Sequence, residues 1–245
     1  MWYKLCLVAL FLTGLAWADD KADYERTQVE IQQMTRNLGQ LHANKSYKEA
    51  LRLQVQIADL SQKALDIALS SAELSNAKAW QYHAKTLKNV GHTEAALKAL
   101  DNYFKTPLLD RNAQRDGWKK RAEIYARARD DKRALKAYEK ALSLADDPRD
   151  AFALRRDIAS RQIRMSEPDE ALKQAQKMEL LIDKMEASQR LRAQRNLQSL
   201  LVRIYRELGD ATATRLAKFR ELELRREMLQ EEIDHFDQRY PDDQQ

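Results

Sequence analysis

The chain has 245 residues, with 43 Lys and Arg against 38 Asp and Glu for a formal charge of +5, one cysteine, five glycines and four prolines. Ala, Leu, Glu, Lys, Arg and Gln abound and β-branched runs are absent, which excludes a strand-rich fold and points to almost all helix. The charge is mildly basic with acidic residues interleaved, short of a nucleic-acid footprint, and a lone cysteine excludes a disulfide framework.

Residues 1–18 read as a signal peptide: Lys4 precedes an apolar run from Leu5 to Ala16, and Ala16-Trp17-Ala18 has the small-residue form of a cleavage site. The run is about a dozen residues, short of the roughly 20 a spanning helix needs, and Asp19, Asp20 and Lys21 follow at once. Cleavage leaves a chain that begins near Asp19. An uncleaved leader would instead act as an anchor, the one route to membrane association. Cys6 lies inside the apolar run, so no lipid attachment site is expected, and it leaves with the leader. The exported chain then depends on packing alone, although disulfides form in the receiving compartment. In a two-membrane bacterium that compartment is the periplasm. The expected layout is a signal peptide at 1–18, one helical repeat domain at 19–240 and a short polar tail at 241–245.

Ten helices are predicted, at about 24–43, 47–70, 74–90, 93–104, 111–128, 132–144, 149–164, 168–185, 188–208 and 210–239. Boundary chemistry supports the division. Ser46-Tyr47-Lys48-Glu49 has capping-box form, and Gly91 ends one helix just before Thr93 can cap the next. Asp147-Pro148 pairs a cap with proline at the first helical position, and Ser166 to Asp169 and Gly209-Asp210 repeat the theme.

The helices are organised as repeats. From Trp118, Tyr125 stands seven residues on, Ala134 sixteen, Tyr138 twenty and Ala141 twenty-three, and Asp147-Pro148 starts the next unit. A second copy opens at Trp80, with Ala84, Leu87, Gly91, Ala96 and Leu100 in matching places, and ends at Pro107. A third carries Ala159, Ala171, Ala175 and Met178. An upstream hairpin carries Leu38, Leu41, Tyr47 and Ala50, and a final one Leu201, Val202, Tyr205, Gly209 and Asp210. This pattern resembles the tetratricopeptide repeat over most of residues 24–240. Arg121 and Ala122 depart from it, standing where that family most often has Leu and Gly. The spacings of 38 residues from Ala96 to Ala134 and 37 from Ala134 to Ala171 exceed the family's roughly 34, so several helices should be a turn longer. The resemblance implies an all-α solenoid of about five antiparallel helix hairpins with a long C-terminal helix. In such a fold alanine lets helices approach while Tyr, Leu and Trp fill the space beside it.

Little in the chain suggests catalysis. His42, His83, His92 and His235 are scattered, no His-x-x-x-His pair exists, and no Gly-rich phosphate loop or G-x-S-x-G elbow appears. Acidic pairs such as Asp130-Asp131 and Asp146-Asp147 suit helix ends. No catalytic residue, metal or cofactor is therefore predicted. Trp80 and Trp118 suit either core packing, as the repeat expects, or a sugar-stacking platform. Tyr125, Tyr138 and Tyr205 read as core, and Tyr82 as exposed.

The family's concave groove is lined by the first helix of each pair and commonly holds extended peptides or partner helices. The faces turned toward it would include Lys78, Lys85, Lys88, Lys119, Arg127, Arg156, Arg164, Arg203 and Arg206, diluted by Asp116, Glu123 and Glu207. Either these cations are a solvated surface or they attract acidic segments. The carboxylate clamp of some family members is not reproduced, because Asp157 and Lys120 stand where it wants other side chains. On the last helix Leu229, Ile233, Phe236 and Tyr240 form a stripe that caps the array, forms a homodimer seam or receives another protein's helix.

The expected function is a non-catalytic interaction scaffold in a cell-envelope assembly, with envelope proteins as partners and no nucleic acid. The alternatives are a binder of anionic envelope polymers such as peptidoglycan or lipopolysaccharide and, last, an enzyme.

Overall fold

Small and apolar residues three and four apart, such as Ala96, Ala99 and Leu100 or Ala171, Ala175 and Met178, place one narrow face on a helix and let its neighbour come close. A computed structural model shows, among the described residues, ten helices: α1 (Trp2–Ala43), α2 (Tyr47–Ser70), α3 (Asn76–Asn89), α4 (Thr93–Lys105), α5 (Arg111–Arg127), α6 (Asp131–Leu142), α7 (Pro148–Arg164), α8 (Pro168–Ile182), α9 (Ala187–Glu207) and α10 (Ala211–Arg239). The structure describes the backbone of residues 2–71 and 75–239, and the side chains of 20–71 and 75–239 except 237. Among these residues there is no strand, and no helix is long and apolar enough to cross a membrane. The fold is the expected all-α, tetratricopeptide-like one.

Two boundaries differ from expectation by more than two residues. Helix α1 starts at Trp2, upstream of residue 24, and α8 stops at Ile182, because the Lys184 and Met185 amides turn back to the carbonyls of Leu181 and Ile182. Several caps differ as well. Ser46 makes no side-chain cap bond, so the capping box at Ser46 to Glu49 is not formed. His92, not Thr93, precedes α4, and Glu167 precedes Pro168 of α8 without a side-chain cap. In these three places the preceding helix ends in a left-handed residue, Lys45, Gly91 or Ser166, and the sharp turn leaves one residue to enter the next helix. Gly91 has φ +87° and its neighbour His92 donates back to the Leu87 carbonyl at 2.9 Å, the C-terminal closure in which glycine costs least. The other expected caps are present: Asp147 accepts from the Arg149 amide at 2.8 Å ahead of Pro148, and Asp210 accepts from the Ala213 amide at 2.8 Å after Gly209.

The chain falls into two compact units, Met1–Ala128 and Arg129–Gln245. In the first, α1 pairs with α2 and α3 with α4, and α5 packs on α4 and α3. Ile31, Leu38, Ala50, Ile57, Ala64 and Val90 form one buried cluster, and Ala84, Leu87, Ala96, Ala99, Leu100, Tyr103 and Ile124 another, with Trp80 and Phe104 against the latter. In the second, α7 pairs with α8 and α9 with α10, while α6 packs on α7. Its core gathers Phe152, Ala159, Ala171, Ala175, Met178, Ile182, Leu197, Leu200 and Ile204. Ala134 and Ala141 are buried, as is Tyr138, whereas Tyr125 and Tyr205 are half-buried.

Arg121, one of the departures from the repeat pattern, fills its place differently from leucine. Its guanidinium lies 5.1 Å from the ring centroids of both Phe104 and Trp118, and it pairs with Asp101. Trp118 in turn meets Phe104 at 5.1 Å between centroids. The apolar stem and flat cation of arginine can cover an aromatic ring as leucine would, while Nη2 reaches Asp101 at the rim and Nε stays buried without a hydrogen bond.

A polar pair is buried in the first unit. Ser61 of α2 and His83 of α3 share a hydrogen bond of 2.8 Å between Oγ and Nδ1, with the Trp80 ring edge beside the imidazole. Burial holds the His83 imidazole below its usual value of 6.5, against the weaker opposing influences of Ser61 and Asp66. The unfolded imidazole binds a proton near 6.5 and the folded one resists it, so this contribution to stability is full above that pH and is lost as pH falls below it. Urea midpoints measured from roughly pH 6.5 down to 5 should fall less steeply for His83→Gln than for the parent. Equal slopes would show that His83 takes up its proton without cost in the fold.

Candidate functional site

The first unit carries a polar concavity between α3 and α5. Lys85 and Lys88 of α3 face Lys120 and Glu123 of α5 across a cavity of about 250 Å³ floored by Ala84 and Ile124. Lys120 lies four residues before the buried Ile124, one helical turn away on the same face, and this spacing could have identified it. Lys88 Nζ donates to Glu123 Oε2 at 2.7 Å, which neutralises one of the three cations. Lys85 and Lys120 have no ion pair among the described residues. Lys85 also borders a second cavity of about 260 Å³, formed by Arg36 and Thr35 of α1 with Tyr82, Thr86 and Asn89 of α3. Arg36 and Lys120 were not among the expected groove residues.

The other expected cations of this unit are placed differently. Arg127 Nη2 donates to the Asn89 carbonyl at 3.0 Å and so ties α5 to α3. Lys78 is exposed and Lys119 half-buried, and neither borders these two cavities. Tyr82, expected to be exposed, is half-buried against the α1–α2 cluster; its hydroxyl donates to the Gln28 carbonyl at 3.3 Å, and burial raises its pKa. The reason is that α1 lies over the face of α3 that carries Tyr82.

The second unit has a groove of about 340 Å³ between α7 and α9. Phe152, Ala153, Met185 and Ala193 supply apolar walls, and Arg149, Arg156 and Arg192 supply charge, with Ser188, Gln189 and Asn196 between them and no acidic residue in the lining. Arg149 is paired with Asp147 at 2.6 Å, which raises its guanidinium pKa, and Arg156 reaches Asp157 at 3.4 Å. Arg192 has no ion pair among the described residues. Arg156 was expected in a groove, whereas Arg149 and Arg192 were not. Arg164 is held by Asp131 at 3.2 Å, beside Arg161, and braces α7 on α6. Arg203 donates to Ser160 Oγ at 3.4 Å, and Arg206 is exposed away from the groove lining.

On α10, Leu229, Ile233 and Phe236 are about half-exposed, and Tyr240 lies outside the described residues. Among the described residues of that helix Ala217 and Leu224 are the buried ones, so they, rather than Leu229, Ile233 and Phe236, meet the rest of the unit. No group of three or more His, Cys, Asp or Glu among the described residues is placed to hold a metal ion.

The buried Ser61–His83 pair sets a hydroxyl beside an imidazole, but both members are nearly inaccessible and neither lines these concavities. No family model matches the chain, and no curated protein matches it. Solved structures do. BtubC (BKLC) from P. vanneervenii is 14% identical with a TM-score of 0.56, over 84% of this chain and 92% of that one. A Podosopora anserina protein with nearly identical TPR-like repeats is 15% identical with a TM-score of 0.52, over 81% and 96%. MamA is 15% identical with a TM-score of 0.50, over 76% and 95%. At these identities the likeness is one of fold: the chain is similar to repeat proteins built from tetratricopeptide-like helix hairpins.

Proposed function

We propose that this protein is a non-catalytic interaction scaffold whose inner helix faces hold acidic segments of partner proteins, and that it is exported to the cell envelope through residues 1–18. The observation that carries the reading is the α3–α5 concavity, where Lys85 and Lys120 keep their charge unpaired beside a single Lys88–Glu123 bridge. A cavity walled by one excess sign raises the local concentration of opposite charge and speeds encounter. The α7–α9 groove adds apolar walls, so an acidic segment with an aliphatic or aromatic anchor gains both charge pairing and burial there. Its similarity in fold to repeat proteins supports a scaffold over an enzyme.

Two double variants test the proposal: Lys85→Glu with Lys120→Glu, and Arg156→Glu with Arg192→Glu. All four are at least partly solvent-accessible, so stability should change by less than about 0.5 kcal/mol for each substitution. Crosslinking in intact cells should capture a defined set of proteins with the parent, and yields should drop about tenfold or more in the variants. Unchanged capture would reject the grooves as the binding faces. Binding to purified peptidoglycan or lipopolysaccharide that collapses with salt, without protein selectivity, would favour the polymer reading instead. Cell fractionation and N-terminal sequencing test export; a mature chain that starts near Asp19 in the envelope fraction is expected.

A further inference from the structure

Helix α10 has two opposed faces. Ala217 and Leu224 are buried on the side that packs within the unit, against α9. On another side Phe219, Leu222, Leu229 and Ile233 are 62%, 50%, 52% and 52% exposed. Their order, with Arg226 in the gap, gives steps of three, four, three and four residues: 219, 222, 226, 229, 233. This is the a/d alternation of a coiled-coil seam, with Phe219, Arg226 and Ile233 at a, and Leu222 and Leu229 at d. A half-buried surface helix needs no such seam on its solvent side. The buried Ala217 and Leu224 fall at the f positions, diametrically opposite, so α10 can keep its place in the unit and still offer the seam.

We infer that α10 pairs antiparallel with α10 of a second copy of this chain, centred between Arg226 and Leu229. The charges select both occupant and direction. Parallel pairing in register would stack Arg226 on Arg226, two like charges in an apolar layer. Antiparallel pairing with Arg226 opposite Leu229 of the other copy sets Leu222 against Ile233 and Phe219 against Phe236, and separates the two Arg226 side chains along the seam. It also brings Arg225 of each copy beside Glu232 of the other, once on each side of the two-fold axis, with Glu232 also in reach of Arg226. Among the described residues Arg225, Arg226 and Glu232 make no ion pair, and Arg225 and Glu232, at the borders of clefts against α9, stay exposed. The other pair on the same flank, Lys218 with Arg239, is of like sign and falls at the outer end of the overlap. Arg225 and Glu232 thus leave their charges for a partner that carries the same two residues in reverse order, which a second copy does.

The mature chain, measured by sedimentation equilibrium, should show twice the mass of one chain. Leu229→Asp with Ile233→Asp should return it to one chain mass with its circular dichroism unchanged, since both residues are exposed. Arg225→Glu alone and Glu232→Arg alone should each weaken association about tenfold, and the two together should restore it. Under mild oxidation a 1:1 mixture of Leu222→Cys and Ile233→Cys chains should give a mixed disulfide dimer, and neither alone should give one. A monomer at all concentrations, an association that survives Leu229→Asp with Ile233→Asp, or a Leu222→Cys chain that crosslinks to itself would each overturn the inference.

Discussion

Replacing Gly117 by alanine should destabilise the first unit by about 1–3 kcal/mol net, although alanine in mid-helix ordinarily gains about 0.5–1 kcal/mol over glycine. Gly117 is buried in the middle of α5. A Cβ there would lie 2.6 Å from Tyr103 Cε1 and 2.8 Å from Phe104 Cζ, well inside van der Waals contact. Neither ring is free to retreat. Tyr103 is only 1% exposed and its hydroxyl donates to the Ala113 carbonyl at 2.7 Å, tying α4 to α5 on the side where the ring would have to move. Phe104 stands edge-on to Tyr103 at 5.4 Å and against Trp118 at 5.1 Å. The helix–helix distance must therefore open, and the packing loss outweighs the gain in propensity. Thermal or urea unfolding of Gly117→Ala measures the sum. A stabilised variant would show that the rings rearrange at little cost.

Met178→Ala should lower stability by about 2–5 kcal/mol. Met178 is fully buried on α8 and lies in one cluster with Ala171, Ala175 and Ile182 of the same helix, Phe152 and Ala159 of α7, and Leu197 and Leu200 of α9. Its removal leaves a cavity between α8 and the Phe152, Leu197 and Leu200 side chains of the facing helices. The conservative Met178→Leu keeps most of the volume and should cost under about 1.5 kcal/mol. Comparing urea midpoints of the two variants separates cavity formation from loss of methionine itself. A loss below about 1 kcal/mol in Met178→Ala would mean that α7, α8 and α9 close up on the gap.

Both sites bear on what was legible beforehand. The alanines at 96, 134, 141 and 171 are visible as a repeat because each is set by local geometry: one helix face, one turn, one small residue where the next helix crosses. Gly117, one residue before Trp118, carries no such mark, since its role depends on where two rings of the preceding helix lie.

The linear chain determined the helices, nearly all their boundaries and the spacing of the buried face, because hydrophobic period, proline and glycine act over three or four residues and do not require a partner. Only the tertiary structure decided which charges remain available. Arg127, Arg164 and Lys88 share the pattern of Lys85, Lys120 and Arg192 along their helices, yet the former are engaged by the Asn89 carbonyl, Asp131 and Glu123, groups 38, 33 and 35 residues away in the chain, and the latter are not. The same holds for α10: its apolar spacing is written in the chain, but which side of the helix the unit buries is settled by Ala217 and Leu224 against α9. Ion pairing and burial depend on the rotation of one helix against another, and that rotation is the outcome of packing all the faces at once.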